Sequence, residues 1–136
     1  MQGSSPRWGW LKFMYLYTIV GAGSLGLGII IAPDVARAAL GWPKQDPITY
    51  GVAGSVYLAF GALSILGLRS PVRFAPVLLQ LCYKLIWLVG VMLPLAARGD
   101  LPAQGIVLAA IFATYIIGDA IAIPFGYVLE RETRSA

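Results

Sequence analysis

Residues 74–97 read FAPVLLQLCYKLIWLVGVMLPLAA, and residues 105–128 read GIVLAAIFATYIIGDAIAIPFGYV. Each stretch is long enough to cross a bilayer, whose hydrocarbon core of about 30 Å requires roughly 20 apolar residues in a helix. The connection between them contains Gly99, Asp100 and Pro102, which are typical of a turn. A connection this short makes its two helices run antiparallel. These two stretches therefore predict a transmembrane helical hairpin.

Two more apolar runs precede this hairpin, so we predict four spans at about residues 10–32, 50–68, 74–97 and 105–128. The 136-residue chain is 59% hydrophobic and only 12% charged, and a soluble domain of this length could not bury so much apolar surface. We expect a single all-α domain, which is a polytopic membrane protein with four transmembrane helices in an antiparallel bundle.

The first apolar run has an alternative interpretation as a secretory signal peptide. Arg7 and Lys12 lie before or within its start, and residues 36–38 resemble a small-x-small cleavage site. The run is longer than the 7–15 apolar residues typical of such peptides, which favours a retained span. The residues that follow it, 33–41, predict a short helix that lies along the membrane surface and ends at Gly41.

Basic residues are distributed unevenly between the two sides of the predicted spans. One side carries six of them: Arg7, Lys12, Arg69, Arg73, Arg131 and Arg134. The other side carries three: Arg37, Lys44 and Arg98. Lys and Arg near span ends are kept on the cytoplasmic side, so we expect both termini to be cytoplasmic in a bacterial-type inner membrane. Anionic lipid head groups account for the net charge of +4, and we expect no nucleic-acid partner.

The composition excludes several kinds of chemistry. The chain has no His, which is the commonest metal ligand, and a single Cys, Cys82, which has no partner for a disulfide or a thiolate metal site. The sequence shows no nucleophile with a nearby base. We therefore expect no metal site, no catalytic residue and no enzymatic activity.

Residues 21–26, GAGSLG, match the G-x-G-x-x-G fingerprint of dinucleotide-binding folds, and Asp46 lies about 20 residues further on, like the acid that binds the ribose. The fingerprint requires a strand before it, whereas these glycines lie inside an apolar run of bilayer length. We interpret them as a surface without bulky side chains that lets another helix approach closely. Six residues of the first two spans are candidates for this packing: Gly21, Ser24, Gly28, Gly51, Ser55 and Gly61. We expect these two helices to pack against each other or against a partner protein.

Two opposite charges lie near the middle of the last two spans. Lys84 is about 16 residues before the predicted turn and Asp119 about 19 after it, so their depths agree within about one helical turn. A charge at the bilayer centre costs at least about 2.5–3.5 kcal/mol, which favours a partner or a polar cavity. We expect an ion pair that either fixes the hairpin or lines a ligand site. Four more residues share or border this polar stripe: Gln80, Tyr83, Trp87 and Tyr115.

The layout of four spans, short connections and scattered Gly and Pro resembles that of small bacterial four-helix DoxX-like membrane proteins. The resemblance covers the whole chain but includes no diagnostic motif, and it assigns no functional residue. It implies a four-helix fold and a role beside other membrane or redox proteins.

The sequence favours a non-enzymatic membrane protein that is an accessory or structural subunit of a larger membrane complex, with other membrane-protein subunits or further copies of itself as partners. One alternative is a bundle that binds a small hydrophobic or amphipathic ligand, such as a lipid, a quinone or a pigment, near Lys84 and Asp119. Retinal on Lys84 is disfavoured because four helices are too few to enclose it. A third alternative is a small proton-coupled transporter.

Overall fold

The computed structural model describes residues 6–130, which contain helices and no strand. The helices are α1 (Trp8–Ile31), α2 (Pro33–Ala39), α3 (Pro47–Arg69), α4 (Ala75–Ala97), α5 (Ala103–Ala122) and α6 (Phe125–Val128). Four of them, α1, α3, α4 and α5, are long and apolar enough to cross a membrane. The prediction of an all-helical chain with four candidate transmembrane helices is confirmed. Arg131 and Arg134, which entered the predicted orientation, lie outside the described residues.

The fourth long helix is shorter than the predicted span of residues 105–128. It ends at Ala122, and Ile123 has the extended conformation φ −66°, ψ 123°. Pro124 causes this end, because a proline disfavours helical geometry in the residue before it and has no N–H to donate. Ala32, which precedes Pro33, is likewise non-helical and separates α1 from α2.

The start of α3 is set by a helix cap that lies before the predicted span. Asp46 accepts a hydrogen bond of 2.8 Å at Oδ2 from the backbone N–H of Thr49, and Pro47 occupies the first turn. This hydrogen bond from the Thr49 backbone lowers the pKa of Asp46, because it stabilises the carboxylate. Asp followed by Pro is a typical helix start. Asp46 therefore caps a helix, and residues 21–26, the remainder of the apparent nucleotide fingerprint, are helical.

Helices α1 and α3 pack closely in an antiparallel register through glycines. Gly23 lies against Gly61, and further along α1, Gly26 lies against the backbone of Gly54 and Leu58. A Cβ atom on Gly26 would overlap both the Leu58 nitrogen and the Gly54 oxygen. Only glycine permits this approach of two helix backbones.

The six predicted packing residues have different surroundings in the structure. Gly61 lies in the α1–α3 contact, Gly21 lies against Tyr115 of α5, and Gly28 has room for a Cβ beside Ala36 of α2. The other three have open space or an exposed side chain: Ser24, Gly51 and Ser55. Small residues occur on several sides of both helices. The α1–α3 contact is formed by Gly23, Gly26, Gly54 and Gly61, of which Gly61 was among the six predicted residues.

The helices form two pairs that meet at one end. The pair α1–α3 contacts the pair α4–α5 mainly through the first half of α1 and through the first turns of α4, Ala75–Gln80. A buried apolar cluster fills this end and includes Leu11, Tyr15 and Leu78. The Tyr15 hydroxyl donates a 2.5 Å hydrogen bond to the carbonyl of Pro71, in the connection between α3 and α4. The second half of α1, Ser24–Ile31, packs on α2 and α3 instead.

We predict that Gly26→Ala lowers the stability of the protein by about 1–3 kcal/mol, because the added methyl group overpacks the contact with α3. The matched control is Gly51→Ala, since nothing lies within 4 Å of a Cβ at Gly51. Thermal unfolding of both variants in the same mild detergent measures the difference. Equal unfolding temperatures for the two variants would contradict the proposed contact.

Candidate functional site

Lys84 is the centre of a buried polar cluster. Its side chain is 1% exposed, and Nζ donates hydrogen bonds to Oε1 of Gln80 at 2.9 Å and to the hydroxyl of Tyr83 at 2.8 Å. Nζ also lies 4.2 Å from the centroid of the Tyr83 ring, 4.5 Å from that of Tyr115 and 5.4 Å from that of Phe112. The negative faces of these rings attract the ammonium group. Lys84 is thus stabilised by neutral oxygens and aromatic faces.

Asp119 lies in the same region but does not form the predicted ion pair with Lys84. Within the described part of the chain, the only cation and carboxylate within 4.0 Å of each other are Arg37 and Asp34, at 3.7 Å. Asp119 is 0% exposed, and neither of its carboxylate oxygens has a hydrogen-bond partner. Gln80 is a neighbour of both groups, and its Oε1 accepts a hydrogen bond from Lys84.

Gln80 also links the cluster to the first helix. Its Nε2 donates to Oγ1 of Thr18 at 3.0 Å, and this hydroxyl donates to the carbonyl of Met14 at 2.8 Å. Thr18 is fully buried and was not among the predicted site residues. The signal that could have found it is a lone hydroxyl residue at mid-run, because such residues form hydrogen bonds between membrane helices.

The Tyr115 hydroxyl inserts into the backbone of α1. It accepts a hydrogen bond from the N–H of Ala22 at 3.1 Å and donates one to the carbonyl of Tyr17 at 3.2 Å. At this place, α1 has a π-helical turn, Ile19–Gly23. A π turn interrupts the regular hydrogen-bond ladder, and here the hydroxyl pairs with an N–H inside the turn and with a carbonyl just before it. Gly21 makes room for it, because a Cβ there would overlap the hydroxyl oxygen.

A cavity of about 380 Å³ lies between α1, α3, α4 and α5, with Lys84 in its wall. Five aromatic side chains contribute to this wall: Tyr17, Tyr57, Tyr83, Phe112 and Tyr115. Six aliphatic side chains and Gly21 complete it: Val20, Ala22, Leu25, Leu40, Leu108 and Ile111. The predicted residues Tyr83, Lys84 and Tyr115 therefore line one cavity, whereas Gln80 and Asp119 lie behind Lys84.

Trp87, the remaining predicted residue, lies outside this cavity. Its ring packs edge-on against Phe112, with 5.1 Å between ring centroids, and it lines a separate cleft of about 230 Å³ beside Trp42 and Met92. Leu108 contributes to both spaces.

The cavity reaches the outer surface of the helices beside one residue of α1 and one of α5. Val20 and Ile111 line it and are also 69% and 39% exposed on the outer surface of the helices. Gly21 also lines the cavity, and the Tyr115 hydroxyl occupies the space where a side chain of residue 21 would begin. One turn away from the opening, the hydroxyls of Tyr17 and Thr114 lie 2.7 Å apart and join the two helices. Beyond the end of α2, Leu40 covers one end of the cavity.

Comparisons of the chain with protein-family models, with curated proteins and with solved structures found no match. Residues 6–130 contain no group of three or more His, Cys, Asp or Glu side chains that could hold a metal ion. The functional argument for this chain therefore depends on the cavity and on the charged groups beside it.

We predict that Tyr115→Phe destabilises the protein by about 1–3 kcal/mol, because it leaves the Ala22 N–H and the Tyr17 carbonyl without their partner. Hydrogen exchange at the Ala22 amide should become faster. The control is Tyr127→Phe, whose ring is 57% exposed on α6. Unchanged exchange at Ala22 and unchanged stability in Tyr115→Phe would show that the hydroxyl does not support the π turn.

We predict that Lys84→Met and Asp119→Leu are each destabilising, because each leaves the opposite charge buried without compensation. The double variant should recover about 1 kcal/mol or more relative to the sum of the single losses, since the charges attract each other across Gln80. A double-mutant cycle of unfolding free energies measures this coupling. Additive losses would mean that the two charges are stabilised independently.

Proposed function

We propose that this chain is a non-enzymatic multi-pass membrane protein that binds a small amphipathic ligand in the cavity between its four long helices. The observation that carries the proposal is the amine of Lys84, buried at 1% exposure, in the wall of an aromatic cavity of about 380 Å³. Ligand sites are typically apolar spaces of about 300–1,000 Å³ with a few well-placed polar groups. Lysine supplies the polar group here, and the aromatic rings supply the apolar walls.

The proposed topology is an antiparallel four-helix bundle with both termini on the cytoplasmic side of a bacterial-type inner membrane. The uneven distribution of basic residues supports the orientation, and the antiparallel contacts of Gly23 with Gly61 and of Gly26 with Gly54 support the arrangement. Leu40 then lies on the outer side, and the cavity extends from the middle of the bilayer towards that side. We include the DoxX-like resemblance in this proposal at the level of the fold only.

Ligand binding is better supported than a role as an accessory subunit. The glycine-rich surfaces of the first two long helices, together with the small size of the chain, favour a protein partner when the sequence is taken alone. In the structure, the closest of these glycine contacts join α1 to α3 within the chain, through Gly23, Gly26, Gly54 and Gly61. The cavity, in contrast, is enclosed by side chains from all four long helices.

Native mass spectrometry of the protein, extracted gently from its own membrane, tests the proposal. We expect a chain with one bound molecule of defined mass. Leu108→Trp should abolish this adduct, because Leu108 lines the cavity and the larger ring fills it. The control is Ile86→Trp, at a position that is 71% exposed on α4.

Two outcomes would contradict the proposal. One is the same adduct in Leu108→Trp as in Ile86→Trp, which would place the bound molecule on the outer surface. The other is a chain without an adduct inside a defined larger complex, which would favour the accessory-subunit function.

A further inference from the structure

We propose that the ligand of this cavity is a single-chain amphiphile with an anionic oxygen head group, which enters from the bilayer between α1 and α5 and binds Lys84. This inference depends on the proposed function and adds the chemical class of the ligand. Three features of the molecule support it: the partners of Lys84, the charges that line the cavity and the position of the opening.

The ammonium group of Lys84 has capacity for one more acceptor. A lysine ammonium carries three N–H donors, and two of them are used on the neutral oxygens of Gln80 and Tyr83. Lys84 has no carboxylate within 4.0 Å in the described part of the chain. A buried cation is best stabilised by an anion in direct contact. Because Lys84 lines the cavity, we infer that an anion held there contacts Nζ.

The charges around the cavity select against the other kinds of head group. Lys84 is the only charged side chain among the lining residues, and Asp119 lies behind Gln80 and outside the lining. A cationic head would meet Lys84 without a compensating charge. A neutral head would gain a hydrogen bond from the ammonium group, whereas an anionic head would gain the same hydrogen bond and a charge–charge attraction, which is stronger in a low-dielectric interior than in water.

The size and position of the cavity indicate a ligand with one chain. About 380 Å³ is near the lower limit for ligand sites, so the space suits one head group with the first part of one chain. The opening is bordered by Val20 and Ile111, which are exposed on the surface that a bilayer would cover. The rest of the chain can therefore extend between α1 and α5 into lipid. The head group is a carboxylate, as in a fatty acid, or a phosphate, as in a single-chain lipid.

Binding of four probes with the same twelve-carbon chain tests the inference: dodecanoate, dodecyl phosphate, dodecanol and dodecyltrimethylammonium. The full chain is held in nanodiscs of neutral lipid at about pH 6.5, at which carboxylic acids are still ionised. We expect dodecanoate or dodecyl phosphate to bind at least about tenfold more tightly than dodecanol, a clear difference in binding free energy. Dodecyltrimethylammonium should not bind. The anion that binds more tightly identifies the head group.

Variants locate the site of this preference. Lys84→Met should remove the preference for the anion and retain binding of dodecanol, whereas Lys12→Met, which removes an exposed cation near the start of α1, should change neither. Leu108→Trp should weaken binding of every probe. If Lys84→Met does not fold, two measurements still test the inference. They are the comparison of the four head groups on the unaltered protein and the binding of the same probes to Leu108→Trp.

The outcomes separate this inference from the proposed function. Equal binding of dodecanol and the anions, abolished by Leu108→Trp, overturns the anionic head group and leaves the ligand-binding function in place. A preference for anions that is lost in Lys12→Met and kept in Lys84→Met assigns it to the surface and overturns the role of Lys84. Binding of no probe by the folded protein overturns both proposals.

Discussion

An ammonium group enclosed by apolar helices is the constraint around which this structure is arranged. Lys84 can be buried at mid-helix only if oxygens and aromatic faces surround it, because an uncompensated charge in that environment is strongly unfavourable. Gln80 and Tyr83 come from its own helix, and Tyr115 and Phe112 come from α5. Gln80 in turn binds a hydroxyl on α1. The placement of α4 against its neighbours is therefore specified by polar contacts, while apolar packing fills the remaining space.

The sequence allowed the depth of the two charged residues in the membrane to be predicted, but not the direction in which each side chain points around its helix axis. Counting residues from the turn near Gly99 placed Lys84 and Asp119 at similar depths, and the structure brings both into one buried region. Whether they touch depends on the direction of each side chain around its helix axis, and in the structure Lys84 forms its hydrogen bonds with Gln80 and Tyr83 instead. The lengths of the long helices followed from the apolar runs. The end of the last one did not, because Pro124 stops the helix inside a run that stays apolar.

The sequence predicted that helices pack closely through small residues, but not which residues form the contact. The abundance of glycine in the first two spans indicated close packing, but small residues lie on several faces, and only the assembled pair shows that Gly23 and Gly26 carry the contact. The π turn in α1 had no local signal at all. It is associated with the hydroxyl of Tyr115, which lies far away in the chain and reaches the backbone of α1 only after α5 has packed.

The meeting of two helix pairs at one end has a mechanical consequence. The apolar cluster around Leu11, Tyr15 and Leu78 holds both pairs together there, whereas the second half of α1 belongs to the α1–α3 pair alone. A small rotation of one pair about this fixed end produces the largest displacement at the far end, where Leu40 and the side opening lie. The cavity can thus widen and narrow as a hinge does, without breaking a backbone hydrogen bond in either pair. Contacts between the two pairs are concentrated at the base, and the half of the molecule that contains Leu40 has fewer of them.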